Sequence, residues 1–430
     1  MKALHTSDWH LGRTLLQRRS RDEEFDAVLA EITAIAETAQ PDLIVHSGDL
    51  FDTYRPAHKD VHRAMRCLNG LARIAPTVVL GGNHDSPELF NLLNYMSTAL
   101  RPDADQDRLQ FVHSRGDADP GTVLDFHSRD GRERIRLAAL PYVHPNRYLH
   151  LFPGFGTTEG AYAAGLRELQ DGLLARLLDG YDPGSDVLLF TAHQYVASSV
   201  PSYSERMWEA REPYATAADA LPQVAYCALG HIHKPQPVGS GRLPARYAGS
   251  PLQMDFGESE ETKSVTVVDA APGRRTLITP HTLHSGRRLA RFDGTLEQLA
   301  ASAAQYRGVY LKAVVHSNEP VPRLGERVSE LVPDAILVEV EEECAATRAT
   351  VLTGADADDD GQLDVTAAFS AYLADAGTPG QNADEVVAAF ADLLNTPDTV
   401  LPRSPAEHLL ADAIAAPWTS AASSGTETTS

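Results

Sequence analysis

Ser7-Asp8-Trp9-His10-Leu11-Gly12 is the stretch on which the reading of this chain turns. Residues 1–6 ahead of it have β character, so Asp8 and His10 fall where a strand ends, one residue apart. In an open α/β sheet, ligands bind in the crevice beyond the carboxyl ends of the strands. A carboxylate and an imidazole projecting together from that edge are half of a metal-ligand set. Asp-x-His alone is weak, since most such pairs arise by chance. Four further clusters of the same chemistry give it weight: Gly48-Asp49-Leu50-Phe51-Asp52, Gly81-Gly82-Asn83-His84-Asp85, Thr191-Ala192-His193 and Gly230-His231-Ile232-His233.

Short apolar runs at 43–47, 77–80, 187–190 and 226–229 lead into these clusters and read as buried strands. Between them, apolar residues at helical spacing predict helices over 22–38, 57–73 and 87–100. A β-α-β-α-β order sets the polar clusters along one edge of a mainly parallel sheet. Residues 109–113, 123–126 and 135–140 read as shorter strands and 161–178 as a helix. Residues 247–251, 264–269 and 276–279 read as strands closing a second sheet. The fold class is therefore α/β, with a first domain over 1–280. Alternating strands and helices over 289–340 predict a small α/β domain at 281–345. An acidic linker at 341–364 and amphipathic helices at 365–374, 384–394 and 405–415 fill a region at 346–417. The Ser/Thr/Ala/Gly-rich end at 418–430 predicts disorder.

At 430 residues and 43% hydrophobic content the chain can bury a substantial core. It has no run of 18 apolar residues and no signal-peptide pattern at its start, so no membrane association is expected. Cys67, Cys227 and Cys344 form no CxxC pair, which fits a reduced cytoplasmic setting. Of the net charge of −22, −15 falls beyond residue 338, where 17 acidic residues face only Arg348 and Arg403. That balance argues against coating nucleic acid by bulk charge. It leaves room for a local basic rim, and Arg13, Arg18, Arg19 and Arg21 crowd one short stretch as candidate phosphate clamps.

The five clusters together hold carboxylates, imidazoles and one amide but no thiolate, which is the inventory of a two-metal hydrolase. Two cations ~3.5–4 Å apart can activate a bridging water and steady both oxygens of a phosphate-ester displacement. One ligand must bridge, and Asp49 is the natural choice because a carboxylate has two oxygens to share. Such a donor set suits Mn²⁺ or Fe²⁺ above Zn²⁺ or Mg²⁺.

Asp-x-His, Gly-Asp-x-x-Asp, Gly-Asn-His-Asp, a later His and Gly-His-x-His resemble the motifs of the calcineurin-like metallophosphoesterases. The likeness narrows to the SbcD-type nuclease subunits of bacterial SbcCD complexes. It rests on Thr6-Ser7-Asp8-Trp9-His10-Leu11-Gly12, Gly48-Asp49-Leu50-Phe51-Asp52-Thr53, His231-Ile232-His233-Lys234-Pro235 and Tyr247-Ala248-Gly249-Ser250-Pro251-Leu252.

The resemblance implies a four-layer αββα sandwich, a small capping domain and a C-terminal helical tail. It implies one metal held by Asp8, His10, Asp49 and His233, and a second by Asp49, Asn83, His193 and His231, with Mn²⁺ the favoured ion. His84 would face the scissile phosphate as acid or transition-state stabiliser, with Asp85 orienting its ring. Asp52, where archaeal relatives carry a histidine, is expected to act by hydrogen bonding behind the ligands. The implied activity is 3′→5′ exonuclease on duplex DNA ends and endonuclease on single strands and hairpins, in DNA repair, replication and recombination. Arg13, Arg18, Arg19 and Arg55 would reach the DNA. The implied partner is an SMC-like coiled-coil ATPase. A homodimer would form through the helices carrying Met65, Leu68, Leu71, Leu89, Leu92, Leu93 and Met96. A metallophosphoesterase acting on a nucleotide, cyclic nucleotide or phosphoprotein is the alternative.

Other features read more plainly. His5 and His46 lie inside strands and read as core residues, Trp9 as a packing anchor, and His113 as a surface group. The run at 356–364 imitates a calcium loop, but Ala367 stands where a bidentate Glu is needed.

Overall fold

The computed structural model describes residues 1–16, 19–99, 108–113, 121–144, 160–202, 204–205, 215–239, 243–347, 365–375 and 380–395. Arg18, the calcium-like run, the helix expected at 405–415 and the tail at 418–430 lie outside the described residues.

The first part of the chain runs β1 (Lys2–Thr6), α1 (Asp22–Ala39), β2 (Leu43–His46), α2 (His58–Ile74), β3 (Thr77–Leu80), α3 (Pro87–Ala99) and β4 (Leu109–Val112). Strands β1 to β4 pair in parallel. Helix α1 forms because Phe25, Val28, Leu29, Ile32 and Ala36 make one buried stripe, and Asp22, Glu23 and Glu24 complement the dipole at its start. It ends where Gln40 turns left-handed (φ 51°) and its N–H bonds the Ala36 carbonyl at 2.9 Å.

A second sheet follows from β5 (Thr122–His127), β6 (Arg134–Leu140), α4 (Ala161–Leu178), β7 (Asp186–His193), β8 (Tyr226–Gly230), β9 (Gln236–Pro237) and β10 (Ala245–Tyr247). Its spatial order is β5-β6-β7-β8-β10-β9. Then β11 (Ser264–Asp269) and β12 (Leu277–Thr282) return to the first sheet, whose order is β12-β11-β1-β2-β3-β4. Contrary to the expectation from sequence, these last strands join the first sheet and not the second. β11 pairs antiparallel with β1, covering an edge that would otherwise offer unpaired backbone groups. The third strand expected there, 247–251, shrinks to β10, which ends at Tyr247.

Strand alternation sorts the core into layers. Ala3, Val45, Val78 and Leu80 meet Leu137, Leu189 and Ala228 between the sheets. Leu4, Ile44 and Val79 point the other way, onto Phe25, Ile32 and Leu68 of the helices. Leu140, Phe190 and Leu229 pack against Leu166, Leu173 and Leu177 of α4. Helix, sheet, sheet, helix: the expected four layers are present. Each fully buried leucine or valine contributes ~1.5–3 kcal/mol to holding them together.

Beyond β12 lies a three-stranded parallel sheet of β13 (Leu289–Gly294), β14 (Tyr310–Ser317) and β15 (Ile336–Cys344). Helices α5 (Leu296–Ser302) and α6 (Leu324–Leu331) complete it, with a core of its own around Leu299, Leu311, Val315 and Val328. α5 begins with a full capping box, Thr295 with Gln298. Strand β15 continues through Glu341, Glu342 and Glu343, which the sequence reading gave to a linker. Lys312 explains part of this: its ammonium bridges Glu339 (2.7 Å) and Glu341 (3.0 Å) across the sheet. Residues 1–345 form one compact unit, and residues 346–430 a separate one. Within the latter, α7 (Val365–Asp375) and α8 (Gly380–Asn395) pack on each other through Phe369 and Phe390, ring centroids 4.1 Å apart.

Candidate metal centre

Strands β1, β2 and β3 of the first sheet and β7 and β8 of the second end side by side, and their polar clusters meet there, although the sequence pattern suggested a single sheet. The backbone there is held in a costly shape. Asp8 (φ 52°), His10 (φ 46°), Asp49 (φ 54°) and His231 (φ 103°) all have positive φ, which costs a non-glycine residue on the order of 1–3 kcal/mol. Glycine makes the approach possible at two points. A Cβ on Gly48 would sit 2.2 Å from His193 Nδ1, and one on Gly82 would sit 2.1 Å from Asp49 Oδ1.

Asp49 lies at the centre. Its Oδ2 is 3.4 Å from His10 Nε2 and 3.4 Å from His193 Nε2, while Oδ1 accepts the His84 N–H at 2.9 Å. On one side, Asp8, His10 and His233 converge, and the Nε2 atoms of His10 and His233 face each other at 3.0 Å. On the other, Asn83 Oδ1 stands 2.8 Å from His193 Nε2 and 3.2 Å from His231 Nδ1. All seven side chains are buried. The expected ligands are thus brought together, in two sets that meet at Asp49.

Hydrogen bonds behind the rings settle which nitrogen faces inward. His193 Nδ1 donates to the Ser47 carbonyl (2.8 Å), so its Nε2 presents a lone pair to Asp49 and Asn83, both oxygen acceptors. Asp52 Oδ1 lies 3.3 Å from His10 Nδ1, and Ser204 Oγ lies 2.5 Å from His233 Nδ1. Asp8 accepts the His231 N–H on Oδ1 (3.0 Å), while Oδ2 is buried with no hydrogen-bond partner. Lone pairs facing oxygens and an orphaned buried carboxylate oxygen call for positive charge. Protonation responds the same way. Burial alone would lower the pKa of His193, but Asp49 overrides it and lifts it to about 9. Burial pushes Asp49 the other way, yet His193 and His84 hold it well below the usual carboxylate range. The donor set fits a dimetal site.

His84 stands beside this centre, its ring edge-on to His10 at 4.7 Å. Asp85 does not orient this ring, contrary to expectation. Asp85 accepts from the backbone N–H groups of Gly82, Leu50 and Phe51 and fastens the loops, whereas the His84 ring is oriented by the Asp52 carbonyl, 2.6 Å from Nδ1. With its carboxyl buried beside Asp49, Asp85 has its pKa raised to about 7. Asp52 sits behind His10, and Arg13 bridges its carboxylate at 3.2 Å.

Of the remaining arginines, Arg19 and Arg55 are exposed, and Arg19 lies over the Tyr310 ring at 5.7 Å. Arg21 is no phosphate clamp: it is buried, pairing with Glu24 and donating to the Gln253 carbonyl. His5 and His46 are buried as expected, and Trp9 packs edge-on to His46. His113 is buried too, contrary to its reading as a surface group, and bonds Asn91 at 2.7 Å. Leu68, Leu71 and Leu93 of the expected dimer seam belong to the core, whereas Leu92, Tyr95 and Met96 are exposed.

The sequence reading passed over Tyr142, which lies flat against His231 (centroids 6.3 Å, 17° between planes), and Ser204, Glu205, Glu258 and Lys263 behind His233. No motif spacing marks them. A lysine heading a strand was the one available sign.

These features define a class, and comparison agrees with it. A family model of the calcineurin-like phosphoesterases matches residues 1–235, and the chain belongs to that family of metal-dependent phosphodiesterases. Within it, the chain is similar to the SbcD component of the SbcCD nuclease in Bacillus subtilis, 32% identical over 300 residues, covering 68% of this chain and 72% of that one. The Escherichia coli K12 protein of the same name is 29% identical over 325 residues (72% and 75% covered). That of Rhodobacter capsulatus is 32% identical over 292 (64% and 67%). Among the described residues, no helix is long and apolar enough to cross a membrane.

Proposed function

We propose that this chain is the nuclease subunit of a DNA-processing complex, cutting phosphodiester bonds at the edge built by Asp8, His10, Asp49, Asn83, His193, His231 and His233. The proposed activity is 3′→5′ exonuclease on duplex ends and endonuclease on single strands and hairpins. The observation that carries it is the place of Asp49 Oδ2, equally distant from an imidazole of each donor set. The relatives' name supports a nuclease that works as one subunit of two. We take the other subunit to be an SMC-like coiled-coil ATPase, docked on the C-terminal helices, and the setting to be cytoplasmic.

Asp8, His10, Asp49 and His233 would hold one divalent ion and Asp49, Asn83, His193 and His231 the other, with Mn²⁺ favoured by the mixed oxygen and imidazole donors. Such a pair supplies Lewis-acid activation of a water nucleophile and neutralises phosphate charge. The chain's own contribution is orientation and proton control. The Asp52 carbonyl takes the His84 Nδ1 hydrogen, which leaves Nε2 to meet the substrate. From there a protonated His84 can give its proton to the departing oxygen or bond the developing charge on phosphorus-bound oxygens. Arg19 and Arg55 are exposed and suit backbone phosphates, whereas Arg13 is engaged by Asp52. The exposed Leu92, Tyr95 and Met96 suit a homodimer contact along α3.

The test uses purified protein, hairpin and blunt duplex DNA, Mn²⁺, and the partner ATPase present or absent. Cleavage is expected with Mn²⁺, and His84→Ala should lower kcat by ~10²–10⁴-fold while two ions remain bound. No cleavage under any of these conditions would sink the proposal. Cleavage of mononucleotide esters alone would favour the small-substrate alternative.

A further inference from the structure

Behind His233 lies a group of buried charges that the mechanism leaves unused. Glu258 and Lys263 are buried, their side chains paired at 2.6 Å. Burying a lysine and a glutamate is costly, and well-packed apolar residues often do as well or better for stability. The placement is therefore informative. Strand β11, which Lys263 precedes, runs antiparallel to β1, so its N-terminal end lies at the edge where β1 delivers Asp8.

The hydrogen bonds form a directed relay. Lys263 Nζ donates to the His233 carbonyl (3.0 Å) and also pairs with Glu261 (2.8 Å). Glu258 Oε2 accepts from Lys263 and from the Met254 N–H (2.9 Å). Its Oε1 accepts from the Ser204 hydroxyl and lies 3.6 Å from His233 Nδ1. With its hydrogen given to the carboxylate, Ser204 Oγ can only accept from His233 Nδ1, 2.5 Å away. The ring is thereby fixed with hydrogen on Nδ1 and a lone pair on Nε2, the atom that faces His10. Glu205 completes the hold by accepting the His233 N–H at 2.9 Å.

We infer that Glu258 is a positioning residue for the Asp8/His10/His233 half of the centre, acting through Ser204 and kept anionic by Lys263. It sets the tautomer of His233 and strengthens Nε2 as a donor, as outer carboxylates do for metal-bound imidazoles. The inference rests on the two-metal reading. It concerns one half of the site only, so its signature is an unequal loss.

Metal-free protein is titrated with Mn²⁺ by calorimetry, and thermal unfolding of the metal-free form is measured alongside. Wild type is expected to bind two ions per chain. Glu258→Gln should weaken one of them by ~10–100-fold and leave the other within ~3-fold, with Glu258→Asp falling between. At saturating Mn²⁺ the KM for DNA should match wild type. Two ions bound by Glu258→Gln with wild-type affinity, or both weakened alike, would overturn the inference. Should Glu258→Gln not fold, Ser204→Ala decides: it removes the relaying hydroxyl and keeps the Glu258–Lys263 pair. One ion weakened ~10-fold supports the relay, and an unchanged isotherm overturns it. Wild type binding fewer than two ions would instead bring down the two-metal reading, and the relay with it.

Discussion

His10 and His233 have carboxylates behind them, Asp52 and, through Ser204, Glu258, whereas among the described residues His193 is backed by a backbone carbonyl and His231 by the flat of the Tyr142 ring. The two halves of the centre share Asp49 but differ in their other oxygens as well, Asp8 against the neutral amide of Asn83. Anionic backing makes an imidazole a stronger donor, and an extra carboxylate adds charge. On the proposed two-metal reading, one half would keep its cation and the other would hold it more loosely. A displacement that must both generate a nucleophile and release a product can use such an inequality.

The comparison can be broken in three ways. Asp49→Ala strikes what the halves share, so both ions should be lost and cleavage should fall by on the order of 10³-fold or more. Metal analysis checks this, and one ion retained at full affinity would mean the carboxylate does not join the halves. Asp52→Asn keeps the shape behind His10 and removes the charge. It should weaken one ion by ~10-fold, against ~3-fold or less for Tyr142→Leu behind His231. Equal losses in the two titrations would erase the contrast.

The smallest effect lies beneath the carbonyl-backed half, where the Ser47 hydroxyl bonds His5 Nε2 at 2.9 Å and Tyr226 bonds Nδ1 at 2.9 Å. Burial lowers the His5 pKa from 6.5 to about 3, so the folded protein keeps it neutral. Its contribution is intact above pH 6.5 and declines as pH falls toward 3, because the unfolded chain binds a proton the folded one refuses. Unfolding free energy of the metal-free protein should drop by ~1 kcal/mol per pH unit less steeply in His5→Gln than in wild type across that window. Superimposable slopes would show that His5 carries no such burden.

Much of this was legible in the sequence for one reason. Parallel strands of one sheet send their ends to the same edge. The clusters after β1, β2 and β3, and those after β7 and β8, could therefore each be summed before any fold was known. That two sheets rather than one carry them was not legible. What lay beyond reading was direction and pairing. Asp85 follows His84 in the chain, yet its carboxylate turns to the backbone of Leu50 and Phe51, because adjacency does not say where a side chain points. Strand β11 chose β1 over the second sheet through Val265 and Val268, and an alternating Val-Thr-Val-Val pattern suits either face. The glutamates of β15 looked like linker because the lysine that steadies them sits on β14. Glu258 carries no motif at all: its meaning comes from Ser204 and His233, which reach it only through the fold.

Strand β1 lies between β2 and β11, and β11 ends at Asp269. Chains leave the ribosome amino end first, so the segment holding Asp8 and His10 emerges long before the strand that closes its outer side. Everything between His10 and Lys263 must be synthesised before that side can be sealed. A chain stopped short of β11 thus carries Asp8 and His10 in an unfinished state, and the edge they help to form matures well after they themselves are translated.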